Sequence, residues 1–176
     1  MNLKSSFKSF CEQNKFEVNA QQIEIIDLLD KFLNQKEAIF WRFLKKRKKL
    51  CFYLHGKVGV GKTMLLDFVY DKLKIKKHRQ HFNEFMINFH DFRHEKKDNN
   101  TIRDFVKKLK KNYDLIYLDE FQVSNIVDAM ILGKLFEVIF EENIRIIITT
   151  NIKLGELYKD GLQREQFLPF ISIIKN

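Results

Sequence analysis

A chain of 176 residues, 45% hydrophobic and 31% charged, has the composition of a folded domain and enough apolar side chains to close one hydrophobic core. Its start, MNLKSSFKSFCEQNK, lacks an apolar signal-peptide segment, and no stretch reaches the roughly 18 uncharged apolar residues of a membrane span, so a cytoplasmic protein without a transmembrane segment is expected. The net charge of +9 does not by itself indicate a polyanionic partner, because Lys, Asn, Ile and Phe are all abundant beside a single Pro, a skew that low-GC coding also produces.

In chain order, residues 1–18 are set apart as a leader. Asn19 followed by Gln22 reads as a capping box, and Ile23, Ile26, Leu29 and Phe32 continue at helical spacing, which starts a first helix near Ala20. The run KKRKK at 45–49 reads as a solvated connector. Residues 50–54 (LCFYL) form an apolar strand pattern that breaks into glycine, and helical spacing then resumes through Leu65, Leu66, Val69 and Leu73. A short strand is expected at 79–83, followed by two helical stretches separated by the polar break 95–100. A buried strand at 115–118, a long helix at 125–141 and a strand at 145–149 (RIIIT) complete the pattern. Alternation of this kind predicts an α/β fold with a parallel sheet covered by helices on both faces. Cys11 and Cys51 have no metal-ligand spacing and read as two reduced thiols.

The glycine turn reads GKVGVGKT, comprising Gly56, Lys57, Val58, Gly59, Val60, Gly61, Lys62 and Thr63, and fits the phosphate-loop pattern with a strand before it and a helix after it. Three of the six glycines in the chain fall here, where the absence of Cβ atoms lets successive N–H groups converge on a phosphate and the helix start adds its positive end. Lys62 is expected at the β- and γ-phosphates of ATP and Thr63 at Mg²⁺. Hydrolysis further needs a metal ligand and a group that polarises water. The buried strand DLIYLDE supplies both at its carboxyl end, where ligands sit in parallel sheets: Asp119 for Mg²⁺, usually through water, and Glu120 for the lytic water. Asn151, after the RIIIT strand, faces the γ-phosphate if that strand lies between the other two; otherwise it reads as a turn or cap residue.

Together these residues resemble the ZapE-type AAA+ ATPases, cell-division ATPases of bacteria with mitochondrial relatives. The resemblance runs from about Asn19 to Lys175 and is carried by the successive blocks GKVGVGKTML, HRQHFNEFM, LDEFQVSNIVDAMILGKLFE and LYKDGLQREQFLPF. It implies a P-loop NTPase of AAA+ type over residues 19–176, ATP with Mg²⁺, and hydrolysis coupled to handling a protein partner, FtsZ for the bacterial members. It makes Asn151 a sensor residue and Arg164 an arginine finger acting in trans, so a homo-oligomer is implied. It argues against nucleic acid as the partner and leaves room for peripheral membrane association. Asn125 stands where the family commonly has an acidic residue, and Gln166 where relatives often carry a second arginine. The family pattern also continues beyond FLPF with a further strand and a lid, so these two are expected to be missing from the sheet formed here. A nucleotide-binding fragment with little hydrolysis is the alternative reading, and a helicase loader on single-stranded DNA a third.

Overall fold

The strand-forming runs assemble into one parallel four-stranded sheet in the computed structural model, which describes residues 3–34, 49–96 and 100–175. The strands are β1 (Cys51–His55), β2 (Lys77–His81), β3 (Leu115–Asp119) and β4 (Arg145–Thr150), in the order β1-β4-β3-β2. The strand carrying RIIIT therefore lies between the strand before the glycine turn and the strand ending in Asp119. The register pairs Leu54 with Thr149, Leu118 with Ile148, and His81 with Asp119.

The chain divides into two compact units, one of Met1–Lys49 with Gly61–Lys74, the other of Leu50–Val60 with Ile75–Asn176. The first contains the helices α1 (Leu3–Gln13), α2 (Ala20–Leu33) and α3 (Lys62–Lys72). Helix α1 is a departure from the sequence reading, which places the first helix near Ala20. Its Leu3, Phe7 and Cys11 recur every fourth residue and are buried, and Phe7 and Phe10 meet Phe68 of α3 at ring-centroid distances of 5.2 and 5.1 Å. Helix α2 starts as expected, but Asn19 caps it by accepting from the Gln21 N–H at 2.8 Å, so the predicted reciprocal arm through Gln22 is not what closes the turn.

The second unit holds the whole sheet with α4 (Phe82–Glu95), α5 (Thr101–Asn112), α6 (Ile126–Glu141) and α7 (Arg164–Lys175). The strand expected at 79–83 is displaced to Lys77–His81. His81 is still extended at φ −68°, ψ 146°, whereas Phe82, Phe85, Met86 and Phe89 recur at helical spacing and are buried, so Phe82 and Asn83 belong to α4. The main core lies on one face of the sheet, where Ile116, Leu118, Ile146 and Ile148 meet an aromatic cluster of Phe85, Phe89, Phe121, Phe136, Phe167 and Phe170. Strand alternation turns Tyr117 and Asp119 of β3 and Ile147 and Thr149 of β4 to the opposite face, where all four are also buried. Cys11 is buried and Cys51 half-buried, and burial pushes both thiols up, which keeps them protonated and supports the reading as reduced, unreactive groups. Of the KKRKK run, residues 45–48 lie outside the described residues.

Candidate functional site

Hydrogen bonds tie together the carboxyl ends of the three strands that carry the predicted residues. Gly56, the first residue of the glycine turn, donates its N–H to the Thr150 carbonyl at 3.1 Å, and Phe121 donates to the Thr149 carbonyl at 2.8 Å. The Thr150 hydroxyl donates to the Phe121 carbonyl at 2.6 Å and accepts from the Ile152 N–H at 3.1 Å, while Tyr53 Oη donates to the Ile152 carbonyl at 2.8 Å. The turn thus leaves β1 from a point fixed by β4, and Asp119, Glu120 and Asn151 follow from the same edge of the sheet.

Asp119 closes β3 and is 7% exposed. Its Oδ1 accepts from the Thr149 hydroxyl and from the Glu120 N–H at 3.1 Å, and its Oδ2 accepts from Arg79 Nη2 of β2 at 2.8 Å. Burial raises the carboxyl's pKa, but the bonds from Thr149 and Arg79, the guanidinium charge and the Glu120 N–H together outweigh it and hold the group below the usual carboxylate range. Asp119 is therefore an ionised carboxylate held in a fixed orientation by donors from β2, β4 and its own following N–H. Glu120 takes the left-handed conformation, φ 53°, which sends Phe121 into the core and leaves its own side chain 79% exposed, with Oε2 3.7 Å from His81 Nδ1. Strained backbone of this kind is stored preferentially at functional sites.

Asn151 is exposed directly after β4. Arg164 starts α7 and donates from Nη2 to the Gly155 carbonyl at 2.8 Å, while its Nε is buried without a hydrogen-bond partner. The preceding turn is set by Gly161, where any side chain would collide with the Tyr158 ring; the Tyr158 hydroxyl donates to the Leu162 carbonyl at 2.9 Å. Asn125, in the position commonly acidic in the resembled family, caps α6 by accepting from the Asp128 N–H at 2.8 Å. It also donates to Asp128 Oδ2 at 2.6 Å, and Asp128 Oδ1 holds His90 Nε2 at 2.7 Å, so the amide does the work of a cap and the nearby acid comes from Asp128.

In the other unit, Gly61 is the N-cap of α3 with φ 82° and, being glycine, offers no side-chain cap. Lys62 and Thr63 form its first turn. A Cβ at Gly61 would stand 2.9 Å from Gln22 Nε2 of α2, so both the backbone angle and the space favour glycine. Gly59 also has φ 82°. A turn with two left-handed glycines running into a helix whose N-cap is itself a glycine is suited to a phosphate chain. The turn joins the two units covalently at Val60 and Gly61.

The sequence reading missed Arg79, His81 and Thr149. Only Thr149 left a local signal, a hydroxyl at the end of an otherwise apolar strand.

A family model described as AFG1-like ATPase matches residues 7–176. Over 155 residues the chain is 40% identical to Lactation elevated protein 1 homolog B of Danio rerio, covering 81% of this chain and 31% of that protein. Over 125 residues it is 40% identical to Cell division protein ZapE of Escherichia coli K12, covering 70% of this chain and 33% of that one. The chain thus spans about a third of the length of these curated relatives. Among solved structures, the DnaC helicase loader superposes with a TM-score of 0.60 at 18% identity, covering 90% of this chain and 87% of that one. DnaI superposes with a TM-score of 0.57 at 22% identity, covering 92% and 85%. These two likenesses are of fold: a parallel sheet packed with helices. With its motifs, its strand order and a family match over nearly its whole length, the chain belongs to the AFG1-like ATPase family.

Proposed function

We propose that this chain binds ATP with Mg²⁺ through residues 56–63 and hydrolyses it. The observation that carries the reading is the order β1-β4-β3, which brings Gly56, Asp119, Glu120 and Asn151 to the carboxyl edge of one parallel sheet, the place where such sheets bind ligands. The backbone of Gly56, Lys57, Val58, Gly59, Val60 and Gly61 wraps the phosphates, Lys62 neutralises them, and Thr63 and Asp119 hold the metal. Mg²⁺, when bound, supplies charge neutralisation on the β- and γ-oxygens. Glu120, exposed and held at φ 53°, polarises the lytic water, and Asn151 orients it.

Arg164 serves a neighbouring subunit in a homo-oligomer, releasing the Gly155 carbonyl to do so, and turnover is coupled to a protein partner. The relative named as a cell division protein supports a role in division, with FtsZ as the first partner to try. Nucleic acid is not proposed, because the likeness to the DnaC helicase loader is of fold alone. Among the described residues no helix is long and apolar enough to cross a membrane. The test is calorimetric titration with ATP and Mg²⁺ beside phosphate release. Lys62→Ala should lose measurable ATP affinity, and Glu120→Gln should bind ATP as the parent does while turnover disappears. Unchanged affinity in the first, or normal hydrolysis in the second, would overturn the assignment of those residues.

A further inference from the structure

We infer that Arg79, which lies outside the phosphate-loop and acidic motifs, is the positioning residue for Asp119: it neutralises the carboxylate and leaves one lone pair of Oδ2 for a metal-bound water. Asp119 then meets a divalent cation through that water and not by direct coordination. The inference rests on the proposed Mg²⁺-dependent ATP site.

The geometry comes from the sheet. Arg79 is paired with Tyr117 across the β2–β3 ladder, and His81 with Asp119, so Arg79 must reach two residues along the neighbouring strand. Its guanidinium does so by lying over the Tyr117 ring, Cζ 4.8 Å from the centroid, and placing Nη2 2.8 Å from Asp119 Oδ2. A planar, delocalised cation can stack and donate at once, which an ammonium does poorly. The Tyr117 hydroxyl lies 3.4 Å from Thr149 Oγ1, whose proton goes to Asp119 Oδ1, so Tyr117 donates into Thr149 and the four residues close a ring of contacts.

Lone-pair counting gives the consequence. An ionised carboxylate offers about four acceptor directions. Thr149 and the Glu120 N–H take two on Oδ1, and Arg79 takes one on Oδ2. The remaining direction on Oδ2 is next to a fixed positive charge, which repels a dication brought into direct contact but tolerates the O–H of a coordinated water. Mg²⁺ gives up its waters reluctantly, so the arrangement matches the cation's own preference.

The experiment titrates Mn²⁺ into the full chain loaded with AMP-PNP, following free Mn²⁺ by electron paramagnetic resonance and counting bound waters by spin-echo modulation in D₂O. Arg79→Met should raise Mn²⁺ affinity about tenfold, the effect of withdrawing one opposite charge from a partly buried pair, and should lower the water count by one. Arg79→Gln, which keeps a planar donor without the charge, should also raise affinity and serves if Arg79→Met does not fold. Arg79→Lys should keep the parent's affinity and water count. Adding Asp119→Asn to Arg79→Met should abolish the gain. Unchanged or weaker Mn²⁺ affinity in both neutral variants, with the water count of the parent, would reduce Arg79 to a structural ion pair and overturn the inference. A parent chain that binds neither AMP-PNP nor Mn²⁺ would overturn the ATP reading, and this inference with it.

Discussion

Thr149→Val removes one hydroxyl from the Asp119 ring of contacts and leaves the shape of the side chain almost unchanged. Thr149 is 2% exposed, so no water replaces the lost donor, and no cavity term enters. The substitution deletes a hydrogen bond to an ionised carboxylate, about 1.5–3 kcal/mol, and removes the acceptor of the 3.4 Å contact with the Tyr117 hydroxyl, which is long and contributes little. The expected destabilisation at pH 7 is about 2–3 kcal/mol. It should depend on pH in one direction. The folded pKa of Asp119 is lowered, so its contribution is complete above the unfolded value of about 3.9 and is lost as pH falls through the folded value. The gap between parent and variant should therefore be full above about pH 4 and shrink, at lower pH, towards the roughly 1 kcal/mol of a neutral hydrogen bond. Urea unfolding followed by far-ultraviolet circular dichroism from pH 7 to pH 3 measures it. A gap that does not change with pH, or one under about 0.5 kcal/mol at pH 7, would show that Thr149 does not hold the ionised carboxylate.

Two further outcomes test the core and the proposed assembly. Phe170 is fully buried and packs on Phe121, Phe136 and Phe167 at centroid distances of 5.5, 4.9 and 5.1 Å, so Phe170→Ala should cost about 3–5 kcal/mol in urea unfolding; a loss below about 1 kcal/mol would mean that α7 is not part of the stabilising core. Arg164→Ala should leave ATP binding as it is and lower turnover by a factor on the order of 10³, with partial recovery when mixed with Glu120→Gln subunits; no recovery in assemblies shown to be mixed would argue against action across a subunit interface.

The parts of the fold legible in the sequence are those written in local pattern. Residues 145–149 form a buried strand because four of five are apolar or β-branched, and the 125–141 pattern becomes α6 almost residue for residue. Strand β2 was misplaced because its sequence, KHRQH, alternates no apolar residues: its half-buried side chains are polar, and the boundary with α4 is set by phenylalanines that suit a strand as well as a helix. Helix α1 was missed for a related reason. Its three buried positions, Leu3, Phe7 and Cys11, make a narrow stripe in a polar segment, and that stripe becomes meaningful only against Phe68, a residue far along the chain.

The site divides along the same line. The glycine turn and the pair Asp119–Glu120 are readable because the chemistry proposed for them depends on neighbours in sequence: successive N–H groups for a phosphate, successive residues at a strand end for metal and water. What fixes Asp119 is not of that kind. Arg79 and Thr149 are separated from it by 40 and 30 positions and reach it only because β2 and β4 flank β3 in parallel register. No spacing rule announces them, since parallel neighbours are joined by connections whose length carries no register. Yet the register has a chemical consequence. A carboxylate at the end of a central strand is flanked by two strands, and each can send one donor to it from the same face; here one donor is neutral and the other charged. The neutral donor, Thr149, is bonded to Oδ1, and the charged donor, Arg79, to Oδ2, where the inference above has it tune cation affinity. On the proposed reading, the motif of two acidic residues specifies where the carboxylate for the metal stands, and residues on other strands tune its affinity. Substitutions at Arg79 should thus alter metal affinity in this chain with the acidic motif intact.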